Sequence, residues 1–226
     1  MSVSNLGLFI ICAGIPMLFG FWAQWRVSRT FKKYSQIPTA NGLTGADAAA
    51  AVLRESGLPG LQIRPVAGRL SDHYDPRSKT LNLSADVGQA ATVAALGVAA
   101  HEAGHAIQDA RGYKPMRIRQ TLVPAATLGQ SLWVAPVFIG ILLGISGLVT
   151  IGLVFFAAVV LFQLVTLPVE FDASKRALVA LEHQGLLATG EIDGARSVLN
   201  AAALTYVAGF VAALGQLVYF FLISRD

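Results

Sequence analysis

Three residues in this chain are spaced for metal chemistry. His101, Glu102 and His105 stand in the run His-Glu-Ala-Gly-His. On an α-helix, positions i and i+4 share a face, so both imidazoles can reach one ion. Zn²⁺ prefers a tetrahedral site, and a catalytic one takes three protein ligands and leaves the fourth position to water. The carboxylate of Glu102, next to the first ligand, is suited to take a proton from that water. This spacing therefore predicts hydrolysis by activated water, with Glu102 as general base.

The third ligand must come from elsewhere. A third histidine six residues after His105 is ruled out, because that position is Arg111. A protease with its motif inside a span and an aspartate in a later span is disfavoured, since the later spans carry no acid. A glutamate on a second helix remains, and Glu170, Glu182 and Glu191 are the candidates downstream. Glu170 leaves an apolar span in Pro168-Val169-Glu170-Phe171-Asp172-Ala173-Ser174, where an acid needs a partner or a function. Asp172 could orient a histidine ligand or be solvated. His73 or Tyr74 could donate to an oxyanion, whereas His183 reads as an ordinary helix-end histidine.

These residues sit in a chain of unusual composition. Hydrophobic residues make up 54% and charged ones 13%, against about 25% charged in soluble proteins, so this is a membrane protein. Residues 1–25 and 120–169 contain no Asp, Glu, Lys or Arg. The first run lacks the basic start of a signal peptide and reads as an anchor spanning about Leu6 to Trp25. Its single Cys12 excludes a disulfide within the chain and a cysteine-rich zinc site. Residues 120–169 are too long for one span and read as a hairpin turning at Gly144-Ile145-Ser146-Gly147, with Pro124 and Pro136 weakening the first arm. A last span covers Ala201 to Ile223.

The net charge is +4, and Arg26, Arg29, Lys32 and Lys33 crowd immediately after the first span. That placement sets topology and suits anionic lipid; no basic groove with interleaved aromatics points to nucleic acid. It puts the N-terminus outside and both polar regions, 26–119 and 170–200, in the cytoplasm. Within 26–119, Thr44 caps a helix running to Glu55. Short strands follow from Leu61 to Leu83 around a turn at Ser71–Pro76, and the helix carrying the motif runs from Ser84–Asp86 to about Ala110. The strand from Thr80, if an edge, could hold an extended peptide. The expected architecture is a mainly α membrane protein with about four transmembrane helices and a small α+β cytoplasmic region bearing the metal-binding helix.

His-Glu-Ala-Gly-His-Ala-Ile-Gln, Asp72-His73-Tyr74-Asp75-Pro76 with its Leu-Asn-Leu-Ser strand, and Pro-Val-Glu-Phe-Asp-Ala-Ser together resemble the YugP-type neutral zinc metallopeptidases, over nearly the whole chain. More distantly, the order of metal helix, hairpin and glutamate helix is similar to HtpX and the CAAX prenyl proteases. Those relatives carry Glu-x-x-x-Asp, so the resemblance implies Glu170 as the third zinc ligand. Ser174 stands where their supporting aspartate would be, with Asp172 as a substitute. It implies a protein or peptide substrate in or beside the lipid bilayer. The competing expectation is a scaffold or quality-control adaptor with a structural metal.

Overall fold

The computed structural model describes residues 3–224. In chain order it has α1 (Val3–Phe9), a π-helical turn at Ile10–Gly14, α2 (Ile15–Tyr34), α3 (Gly45–Glu55), β1 (Gln62–Val66), β2 (His73–Asp75) and β3 (Thr80–Ser84). There follow α4 (Ala85–Gly88), α5 (Val93–Ala110), α6 (Lys114–Leu132), α7 (Val134–Leu143), α8 (Ser146–His183) and α9 (Thr189–Ile223). Four helical stretches are long and apolar enough to cross a bilayer: Leu6–Tyr34, Lys114–Leu143, Ser146–His183 and Thr189–Ile223. The protein is a mainly α membrane protein with one small sheet, in two compact units.

One unit comprises residues 1–24, 117–168 and 204–226. Its hairpin turns where the sequence predicts, with Gly144 in the left-handed conformation ending α7 (φ 67°) and α8 starting at Ser146. The two arms approach through glycines: a Cβ on Gly152 would lie 2.8 Å from the Trp133 carbonyl oxygen, and one on Gly140 would lie 2.7 Å from the Val149 nitrogen. Small residues permit this backbone contact where lipid offers no hydrophobic drive to association. The first arm is two helices, α6 and α7, that meet at Trp133. Pro136 falls in the first turn of α7, where its missing N–H costs nothing, and Pro124 lies inside α6.

The other unit comprises residues 25–116 and 169–203. Its core surrounds α5, whose alanines (Ala99, Ala100, Ala103) are fully buried among Val52, Leu81 and Leu181. Helix α3 begins with a reciprocal cap: the Asp47 N–H donates to Thr44 Oγ1 (3.2 Å), and the Thr44 N–H donates to Asp47 Oδ2 (3.0 Å).

Three sequence expectations change here. The helix expected from Ser84–Asp86 to Ala110 is broken into α4 and α5. Its intervening residues pair with an earlier segment, as Thr39 and Gly45 donate to the Ala91 and Ala90 carbonyls, and Thr92 becomes a new N-cap for α5. Part of the expected turn at Ser71–Pro76 is strand β2, antiparallel to β3. The reversal falls later, where Asp75 accepts from the Arg77 N–H (2.9 Å) and Ser78 Oγ (2.6 Å). The strand order is β1-β3-β2, so Thr80–Ser84 is the central strand and has no free edge for a peptide. Glu170 lies on α8, which runs unbroken from Ser146 to His183, and α9 begins at Thr189.

Candidate metal centre

Helix α5 carries two stripes about a quarter-turn apart, as 3.6 residues per turn require. His101, His105 and Gln108 form one stripe, and Glu102 and Asp109 form the other. The first faces α8 and the second faces β2. At the α8 side, Gly104 allows the close approach. A Cβ there would lie 2.7 Å from the Ala173 carbonyl oxygen, which accounts for a residue that costs about 1 kcal/mol inside a helix.

The approach brings Glu170 to both histidines. Its Oε2 lies 3.3 Å from His101 Nε2 and 3.6 Å from His105 Nε2, and the three candidate donor atoms are within 4.8 Å of one another. Ligands about 2.0–2.1 Å from a tetrahedral Zn²⁺ stand roughly 3.3 Å apart, so these separations suit a shared ion. The Glu170 Oε2 atom is buried without a hydrogen-bond partner. A buried carboxylate oxygen facing two imidazole nitrogens is a position that a shared cation would satisfy. Two nitrogens and one oxygen also form a donor set that zinc accepts. Zinc fits these residues.

The electrostatics agree. Burial pushes the Glu102 carboxyl pKa up, an effect that the two nearby histidines oppose and the Glu170 charge adds to. For His105, burial acts to lower the pKa, yet the close approach of Glu170, the charges of Glu102 and Glu170 and the contact with Gln108 raise it overall. Two buried carboxylates thus draw positive charge onto a buried ring, and a metal cation would answer the same field.

Each remaining group has a definite place. Glu102 Oε2 accepts from the Tyr74 backbone N–H (3.0 Å), so β2 holds the carboxylate beside the histidines. The Tyr74 hydroxyl donates to Asp109 Oδ2 (2.7 Å), and Lys79 pairs with the same oxygen. Tyr74 therefore straps β2 to α5 at two points two turns apart. Its hydroxyl is committed there, and His73 is exposed with its Nδ1 against the Ser71 carbonyl (2.8 Å). Glu191 caps the start of α9, accepting from the Ala188 and Ala40 N–H groups at 2.8 Å each. His183 pairs with Glu55 at 3.1 Å. Among the described residues, the cluster that could hold a metal ion is His101, His105 and Glu170, without Glu182 or Glu191.

Asp172 does not touch a histidine. It accepts from Gln108 Nε2 (2.8 Å) and ion-pairs with Arg176. Ser174 is the residue against His101, Oγ to Nδ1 at 3.1 Å. The sequence reading missed Gln108, whose signal was its position three residues after His105, on the face of the metal ligands.

Comparison with known proteins is consistent with this geometry. Residues 9–225 match the family described as "Putative neutral zinc metallopeptidase". The chain is 40% identical over 224 residues to "Putative membrane protease YugP" of Bacillus subtilis (strain 168), covering 97% of this chain and 99% of that protein. No solved structure matches it.

Proposed function

Because the chain belongs to this neutral zinc metallopeptidase family, we propose that it is a membrane-embedded, zinc-dependent endopeptidase acting at the cytoplasmic membrane face. The observation that carries the reading is the convergence of His101, His105 and Glu170 within 4.8 Å, with Glu102 on the next stripe of the same helix. The first three residues would hold the ion through two imidazole nitrogens and one carboxylate oxygen. When bound, the ion supplies Lewis acidity, which brings the pKa of water down to about 7.

The protein's own groups do the rest. Glu102, steadied by the Tyr74 N–H, takes a proton from the attacking water. It then passes that proton to the amide nitrogen as the water oxygen stays on carbon and the C–N bond breaks, giving a carboxylic acid and an amine that part as carboxylate and ammonium. Burial pushes the Glu102 pKa up, which makes its carboxylate a stronger base for the proton it takes and later returns. Burial of Glu170 leaves its Oε2 with no competing hydrogen bond.

The basic residues after the first candidate span support a cytoplasmic site, with the N-terminus outside. On that reading residues 1–25, 120–169 and 201–226 are membrane segments, and residues 26–119 and 170–200 face the cytoplasm. The substrate is then a protein or peptide in or beside the bilayer. A structural metal in a non-catalytic scaffold is the weaker reading. Such a site usually has four protein ligands, and it would give Glu102 no task. The test is Glu102→Gln in purified protein. Zinc retained with cleavage lost supports the proposal, and undiminished cleavage overturns it.

A further inference from the structure

A fully buried amide stands behind His105. Gln108 has no exposed surface, and each of its polar atoms is matched. Its Nε2 lies 2.7 Å from the Val169 carbonyl oxygen and 2.8 Å from Asp172 Oδ2, and its Oε1 lies 3.0 Å from His105 Nδ1. An amide can in principle be turned end for end, but here its surroundings allow one orientation. A backbone carbonyl cannot donate, and Asp172 is ion-paired with Arg176, so both neighbours on the α8 side are acceptors. The NH₂ group must face them. The amide oxygen must then face His105, and since it can only accept, the hydrogen of His105 is on Nδ1. That leaves the Nε2 lone pair directed at the position shared with Glu170.

His101 is held differently. Its Nδ1 faces the Ser174 hydroxyl, which can donate or accept and rotates to suit. Its side chain is 13% exposed against 9% for His105. The two histidines thus differ: one ring is set by the fold and the other adapts.

We infer that Gln108 is a positioning residue that sets the tautomer and direction of His105 for metal binding, and that Asp172 acts on the site only through it. The chain of contacts is Arg176 to Asp172 to Gln108 to His105. It leaves α8, crosses to α5 and ends on the ion that Glu170, again from α8, completes. Val169, Glu170, Asp172 and Ser174 together supply one direct ligand, the groups that orient Gln108 and the group that faces His101. The inference rests on the metal-site reading above and goes beyond it by ranking the residues around the ligands.

The test is zinc affinity of the purified full-length protein, measured by competition with a chromophoric chelator, which requires no substrate. Gln108→Met keeps the volume and removes the amide. It should weaken zinc binding by about 10- to 100-fold, the usual cost of losing such a partner, and Ser174→Ala should cost less. Asp172→Ala should add nothing further in a Gln108→Met background. A second readout is the pair of ring ¹⁵N shifts of His105 in the zinc-free protein at alkaline pH. They should report hydrogen on Nδ1 and a bare Nε2 in wild type and a mixture of the two forms in Gln108→Met, which a role in packing alone would not predict. Gln108→Met within twofold of wild type, Ser174→Ala costing more than Gln108→Met, or hydrogen on Nε2 in wild type would each overturn the inference. Should Gln108→Met fail to fold, the wild-type ring shifts decide alone. Wild-type protein that takes up no zinc would overturn the metal-site reading itself, and this inference with it.

Discussion

Gly104 and Ala173 are in backbone contact: a Cβ on Gly104 would stand 2.7 Å from the Ala173 carbonyl oxygen, closer than such atoms pack. In an open helix, Gly→Ala stabilises by about 1 kcal/mol. Here Gly104→Ala must push α8 away or clash, so the sign reverses. We expect a loss of about 1–3 kcal/mol from overpacking and weaker zinc retention, because Glu170 moves with Ala173. Thermal unfolding in detergent and bound-zinc analysis check both, and a raised unfolding temperature would refute the contact.

Glu102→Gln keeps the shape of the side chain and removes the base. Cleavage should fall by roughly 10²- to 10⁴-fold, the range for a positioned acid–base group, while zinc content stays at the wild-type level. The assay is single-turnover cleavage with metal analysis on the same sample.

Glu170→Ala removes the ligand supplied by α8 and should abolish stoichiometric zinc. Chelation of the wild type should mimic it in stability. Ligand at 100 times its Kd stabilises by about 2.7 kcal/mol, so the unfolding temperature should drop on chelation and recover with added zinc. The Glu170→Ala protein should respond to neither treatment.

The α3 cap gives a pH-dependent prediction independent of the metal. Bonds from the Thr44 hydroxyl and then its backbone N–H hold the Asp47 carboxyl below its ordinary pKa. A carboxylate lowered in the folded state contributes stability above its unfolded pKa, near 3.9, and loses it as pH falls through the folded value. Thr44→Ala should therefore cost about 1 kcal/mol at neutral pH. That difference from wild type should narrow below roughly pH 4. Parallel denaturation curves at pH 7 and pH 3 would expose a constant gap, which the cap does not predict.

Much of this was legible because it depends on local pattern. Uncharged runs mark candidate spans, Thr44 with Asp47 marks a helix start, and the i, i+4 histidines mark a shared face. What escaped depends on long-range pairing. The break between α4 and α5 is made by hydrogen bonds to residues 39–45, which no window on residues 84–110 contains. The central place of β3 follows from a parallel partner before β2 and an antiparallel one in it, and periodicity cannot order strands. From sequence, Asp172 reads equally as orienting a histidine or as solvated, and local pattern does not choose. A buried glutamine bridges it to His105, and only the packing of α8 on α5 brings those residues within reach.

The contact between His101 and Ser174 spans 73 positions of sequence, with the whole hairpin made in between. During synthesis the two histidines and their neighbouring glutamate therefore exist before the third donor does. At about 5–20 residues per second, the interval is roughly 4–15 s. In that window the chain carries its motif but not its site, and a nascent chain stalled before α8 would have no third donor for the ion. Metal binding by the proposed donor set is thus tied to synthesis of α8.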